Sequence, residues 1–163
     1  MKSLFIVLLL SISINSIAQA PEKLPGTKEE FVSSEKDFIS AVKWLETTAI
    51  GKDMDARVKT NAWVLAWLTN SPTVTIEVRS SILKIFDKNP QLMLVFMGGY
   101  GRYCLENNYS KDDFKCNLAG IKAAISCYNL GGDVKKDKNL TKVIEKDGEG
   151  KLEEWLQDAM KAK

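Results

Sequence analysis

The chain reads as an all-α protein: a single-domain orthogonal or up-down bundle of five to seven helices around a central helical hairpin, about 90–107 and 111–129. Three observations predict it. Apolar residues recur at helical spacing in several separate segments, cap residues precede most of those segments, and glycine or proline punctuates the joints between them. The most apolar stretch beyond the first twenty residues is Asn89 to Asn107, N-P-Q-L-M-L-V-F-M-G-G-Y-G-R-Y-C-L-E-N, and the rest of the chain is arranged about it.

Residues 1–20 read as a secretory signal peptide, with Lys2 as the charged start, Leu4 to Leu10 as the apolar run and Ala18-Gln19-Ala20 as a small-x-small cleavage site. Ser11, Ser13, Asn15 and Ser16 interrupt the segment too early for a good spanning helix, and the residue directly after the cleavage site is Pro21, not the cysteine a bacterial lipid anchor needs. The expectation is a secreted or periplasmic protein with no stable membrane anchor after cleavage. Residues 21–27 form a flexible leader containing Pro21, Pro25 and Gly26, and 28–161 a single helical domain.

Thr27 to Ser34 suggests a short helical turn, and Ser34-Glu35-Lys36-Asp37 resembles a capping box with Asp in place of Glu. The first long helix, 35–49, carries Phe38, Val42, Leu45 and Ala49 on one face and stops at Gly51. Asp53 or Asp55 opens a second helix through Thr69. Its inner stripe is read as Val58, Ala62, Leu65 and Leu68, widened by Trp63 and Trp67. Ser71-Pro72 restarts the chain. Val74, Ile76 and Val78 alternate like a strand, but Val74, Val78, Ile82 and Ile85 extend further as a helix, so 73–87 is assigned as helix.

Two readings compete for the central stretch. Leu92 to Met97 as a strand would make Gly98-Gly99-Tyr100-Gly101 a phosphate-cradling turn, but the spacing departs from G-x-G-x-x-G and no Lys-Ser/Thr pair follows. As one helix, with Asn89 capping and Pro90 at the first helical position, the segment accepts about 3 kcal/mol of glycine propensity cost, roughly 1 at each of three positions. Close packing against a neighbour must offset it. The helix 111–129, capped within Ser110-Lys111-Asp112-Asp113, supplies that neighbour. Its stripe is Phe114, Leu118, Ile121, Ile125 and Tyr128, and Ala119, Gly120, Ala123 and Ala124 form a flat flank. Antiparallel folding about Tyr109-Ser110 pairs positions summing to about 220, which sets Gly101 against Ala119, Tyr100 against Gly120 and Met97 against Ala123. A short helix at 139–146 and a last one at 151–161, docked through Trp155, complete the set.

Cys104 and Cys116 also sum to 220, whereas Cys116 and Cys127 lie about 16 Å apart along one helix, beyond the reach of a disulfide. The hairpin pattern therefore predicts a Cys104–Cys116 staple contributing about 3 kcal/mol. The alternative, three buried thiols acting as small apolar residues, stands equally.

Composition removes several chemistries. There is no histidine, so Ser-His and Cys-His pairs, imidazole bases and imidazole metal sites are excluded. The 23 Lys+Arg and 21 Asp+Glu are interspersed, which argues against a nucleic-acid partner, and no motif calls for a cofactor or a metal. The expected function is a non-catalytic domain that binds another exported protein through the hairpin end, at Arg102, Tyr103, Glu106 and Tyr109. A carrier of a small apolar ligand, using Trp63, Trp67, Met93, Phe96 and Met97, is the first alternative. A hydrolase built on Glu106 with Asp112 or Asp113 is the second. In the leader ending Ala18-Gln19-Ala20, the Ser71-Pro72-Thr73-Val74 restart, the Phe96-Met97-Gly98-Gly99-Tyr100 run and Asn117-Leu118-Ala119-Gly120, the chain resembles small secreted helical proteins of Bacteroidetes-type bacteria. That resemblance implies compartment and fold, and brings no catalytic motif.

Overall fold

Thr27 opens the first helix with a full capping box: its hydroxyl accepts from Glu30 N–H while the Glu30 carboxylate returns to Thr27 N–H. The computed structural model describes residues 20–161, and among them eight α-helices and one 3-10 turn. The signal-peptide segment, apart from Ala20, lies outside the described residues. The helices are α1 (Lys28–Ser33), α2 (Glu35–Thr47), α3 (Met54–Asn70), α4 (Ser80–Leu83) with the 3-10 turn Lys84–Phe86, α5 (Gln91–Glu106), α6 (Asp113–Asn129), α7 (Lys138–Gly148) and α8 (Leu152–Lys161). No strand occurs among the described residues, where β-pairing is confined to an isolated bridge between Ile50 and Gly132. No described helix is long and apolar enough to cross a membrane.

The Ser34 capping box does not form. Ser34 instead donates to Phe31 O and accepts from the Trp67 indole N–H at 2.9 Å, which ties α1 and α2 to α3. Trp67 is fully buried and stacks on Phe38 with ring centroids 4.1 Å apart.

The stripe assigned to α3 is right in part: Leu68 packs inward with the two tryptophans, but Val58, Ala62 and Leu65 turn out to solvent. Arg57, Thr60, Trp63, Val64 and Trp67 face inward, whereas Met54, Val58 and Leu65 are 51%, 59% and 49% exposed. Both tryptophans need a buried face and an indole partner, Lys23 O for Trp63 and Ser34 Oγ for Trp67. Their rotational position turns Val58 and Leu65 outward.

The helix assigned to 73–87 shrinks to α4 and its 3-10 turn, and residues 71–79 run extended. Ser71 does not open a helix: it closes the end of α3, and its hydroxyl accepts from Thr73 N and Val74 N in a local turn that the β-branched run Thr73-Val74-Thr75-Ile76 with Val78 does not propagate. The segment docks by single residues, Val74 buried against α2 and α3 and Asn117 of α6 donating to Glu77 O.

Asn89 does not cap α5 with its side chain. It is fully buried, donates to Lys135 O at 2.9 Å and accepts from Lys135 N at 2.7 Å, pairing like a peptide with a distant loop.

The helical reading of the glycine stretch holds. α5 and α6 form the tightest helix pair, but the three glycines serve three neighbours. A Cβ on Gly98 would meet the Val42 methyls of α2 at 3.1 Å. One on Gly99 would meet Ala123 Cβ of α6 at 2.5 Å, and one on Gly101 would meet Leu68 of α3 at 2.9 Å and Phe38 of α2 at 3.1 Å. Gly101 thus faces away from Ala119, because a helix turns its side chains through about 100° per residue. Gly120 of α6 receives Phe96, whose carbonyl lies 2.6 Å from where a Cβ would stand.

The buried side chains form two clusters. One gathers α1, α2 and α3 with Tyr100, Cys104 and Cys116, and the other gathers the α4 turn, α7 and α8 with Leu92, Val95, Phe96 and Ile121. α5 passes from the second into the first near its glycines.

Candidate functional site

Of the four residues expected at the hairpin end, Arg102 and Glu106 join one internal network, Tyr109 a second, and Tyr103 packs on the core. Arg102 Nε donates to Glu46 Oε1 at 3.1 Å and its Nη1 to Glu106 Oε2 at 2.7 Å, while Lys43 Nζ reaches Glu106 Oε1 at 2.8 Å. These contacts bolt α5 to α2. Burial alone would raise the Glu106 carboxyl, but Lys43 and Arg102 reverse this and hold it below its usual range. Burial dominates at Glu46, whose carboxyl is pushed up despite Arg102.

Tyr109 sits in the loop in left-handed backbone and donates to Glu35 Oε2 at 3.1 Å; it remains 46% exposed. Tyr103 is half-buried against the first cluster. The structure therefore brings Arg102 and Glu106 together, sets Tyr109 over α2, and gives the polar groups of all three partners within the chain.

The carboxylates of the hydrolase alternative are likewise engaged. Asp112 caps α6 by accepting from Lys115 N at 3.0 Å, and Asp113 accepts from the Tyr100 hydroxyl at 2.8 Å. The aromatic and methionine set of the carrier alternative is divided, Trp63 and Trp67 lying in one cluster and Met93, Phe96 and Met97 in the other. Among the described residues no group of three or more Cys, Asp or Glu is placed to hold a metal ion.

Two places emerge that the sequence reading did not assemble. The first is the outer face of α3. Met54, Val58 and Leu65 project on one side of the helix, opposite Trp63 and Trp67. A cleft runs along each side. One, of about 560 Å³, lies between the leader and α3 and is lined by Ala20, Leu24, Lys59, Ala62, Trp63 and Ala66. The other, of about 300 Å³, includes Met54 and Val58 together with Lys88, Lys135, Arg57 and Asp133. Arg57 itself is buried: it donates to the carbonyls of Leu45, Thr48 and Ala49 at the end of α2 and lies over the Trp44 ring at 5.6 Å. Apolar side chains bordered by charged ones suit association with another protein surface.

The second place is a polar cleft of about 270 Å³ between residues 73–77 and the start of α6, lined by Thr73, Thr75, Glu77, Tyr100, Ser110, Lys111, Asp113 and Cys104. Cys104 and Cys116 meet at its floor as free thiols, Sγ to Sγ 3.1 Å, so the pair predicted from the hairpin register is in contact without a bond. Cys127 is buried elsewhere, its thiol pointing at Leu45 O and Thr48 O. The contact between the two cysteines, though not a bond, was legible from position sums. The cleft was not, because it depends on the extended course of 71–79.

Comparison with protein-family models, with curated proteins and with solved structures finds no match.

Proposed function

We propose that the chain is an exported, non-catalytic helical module that binds another protein on the outer face of α3. The observation that carries the reading is the stripe Met54, Val58 and Leu65, each about half or more exposed on a helix whose opposite face already holds the core. A 17-residue helix that is apolar on both sides pays a solvation cost on the outer one. A partner would remove that cost. The adjoining cleft sets Lys88 and Lys135 against the lone acid Asp133, with Arg57 turned inward to backbone carbonyls, so the fitting partner presents apolar side chains to the stripe and an acidic group to this cleft. Export rests on the signal-like first twenty residues and on the resemblance to secreted helical proteins. In an oxidising compartment the Cys104–Cys116 contact closes as a disulfide.

The test starts from capture of exported proteins on the full chain, then titrates each purified candidate. Val58→Asp with Leu65→Asp should weaken the complex at least tenfold, and Lys135→Glu severalfold with a reduced salt dependence. Tyr103→Ala with Tyr109→Ala should leave it unchanged. Equal affinity for wild type and the Val58/Leu65 variant would overturn the reading. So would a stripe-dependent dimer of the chain itself in sedimentation equilibrium, because a second copy would then occupy the face.

A further inference from the structure

We infer that the polar cleft is the entry route for thiol–disulfide exchange, with Cys104 as the sulfur that reacts first and Cys116 as the one that resolves. The inference deepens the exported reading by specifying how its disulfide forms in the folded chain.

Access is asymmetric. Cys104 lines the cleft and is 3% exposed, while Cys116 is fully buried and lies behind it at 3.1 Å. The thiols sit on different helices of a tightly packed hairpin, and the intervening loop leaves α5 through Asn107, Asn108 and Tyr109, the last two in left-handed backbone. Ser110, at the loop's end, donates its N–H to Cys104 O and accepts from Cys116 Sγ at its carbonyl, so it touches both partners. Cys127 is placed differently: it faces backbone carbonyls of α2 and its neighbouring loop, with Arg57 beside it.

The chemistry balances with a low-molecular-weight disulfide as oxidant. The Cys104 thiolate attacks one sulfur of the reagent, forming a mixed disulfide and expelling one reagent thiolate. The Cys116 thiolate then attacks Cys104 Sγ, forming the Cys104–Cys116 bond and expelling the second thiolate, and the two released protons leave with the reagent thiols. Two protein thiols are oxidised and one reagent disulfide is reduced. The second step requires the two sulfurs to close by about 1 Å from their present separation to reach bonding distance.

The experiment treats the full, reduced, folded protein with bis(2-hydroxyethyl) disulfide, a small neutral probe, and maps the products by alkylation and peptide mass spectrometry. The expected result is an intrachain Cys104–Cys116 bond with Cys127 still alkylatable. Cys116→Ser should stop at a mixed disulfide on Cys104. Cys104→Ser should react at Cys116 at least tenfold more slowly than Cys116→Ser reacts at Cys104. Equal rates in the two single variants, with the bond forming in wild type, would overturn the ordered route and leave the pairing intact. Three alkylatable thiols in treated wild type would overturn both.

Discussion

Adding one methyl group at Gly99 tests the hairpin at its tightest point. A Cβ there would stand 2.5 Å from Ala123 Cβ, 3.2 Å from Gly120 Cα and 3.3 Å from Ala119 O. Two of these three contacts are backbone, so rotamer changes cannot relieve them and α5 must move off α6 by roughly an ångström. Overpacking of this kind costs about 1–3 kcal/mol, and the backbone contacts place Gly99→Ala at the upper end. The helix-propensity gain of alanine over glycine returns about 1 kcal/mol. The net loss is about 2 kcal/mol, or a fall in Tm of about 4–8 °C for a chain of this size. Two glycines in the same protein calibrate the measurement. Gly98 faces only the Val42 side chain, at 3.1 and 3.2 Å, so Gly98→Ala should fall within about 1 kcal/mol of wild type. Gly148 ends α7 with nothing within 4 Å, so Gly148→Ala should gain up to about 1 kcal/mol. Urea unfolding of all three, with Gly99→Ala/Ala123→Gly in a double-mutant cycle, reads the result. Gly99→Ala as stable as Gly148→Ala, or no coupling with Ala123, would refute the packing account.

Three further outcomes follow from named contacts. Asn89→Ala should destabilise by about 2–3 kcal/mol because it strands both Lys135 N and Lys135 O, and Asn89→Asp should not rescue it, since a carboxylate cannot donate to Lys135 O; urea midpoints check both. Glu106 has its carboxyl depressed in the folded chain, so its contribution is present above its unfolded pKa and lost as pH falls through the folded one. The stability gap between wild type and Glu106→Gln should therefore close on acidification below about pH 4, read by thermal melts across pH. Both thiols of the Cys104–Cys116 pair are pushed up, chiefly by burial; the contact between them adds to the shift at Cys104 and opposes it at Cys116, Ser110 also opposes it at Cys116, and Asp113 adds at both, with Asp112 adding at Cys116. Thiolate formation is therefore disfavoured, and the exchange rate should still be rising about tenfold per pH unit at pH 9, where an ordinary exposed thiol levels off; stopped-assay alkylation measures it.

How much of this was legible depended on whether the signal was local. The α5–α6 hairpin and its cysteine contact could be read because helix period and a short loop fix register without reference to the rest of the chain. The outer face of α3 could not, since its apolar residues populate both sides. Choosing the buried side required knowing that the Trp67 indole finds Ser34 at the junction of α1 and α2. Asn89 misled for a similar reason: Asn before Pro is a strong cap signal, and its real partner lies 46 residues away. The cap signal at Ser71 misled in the same way: its hydroxyl closes only a local turn, and β-branched side chains with docking by single residues decided the extended course of 71–79.

The glycines of α5 mark where the two halves of the molecule are joined. Leu92, Val95 and Phe96 belong to the cluster built with α7 and α8, while Tyr100 and Cys104 belong to the one built with α1, α2 and α3. Within one turn between them α5 touches α2 at Gly98, α6 at Gly99, and α2 and α3 at Gly101. A helix meeting neighbours on most of its circumference within a single turn has no direction left for a side chain, which is a stronger demand than a single close helix pair makes. The three glycines are thus three separate solutions to crowding, and their propensity cost of about 3 kcal/mol is offset by contacts to three helices. The substitutions at positions 98 and 99 should accordingly differ in size and report on different neighbours, even though the two residues are adjacent in sequence.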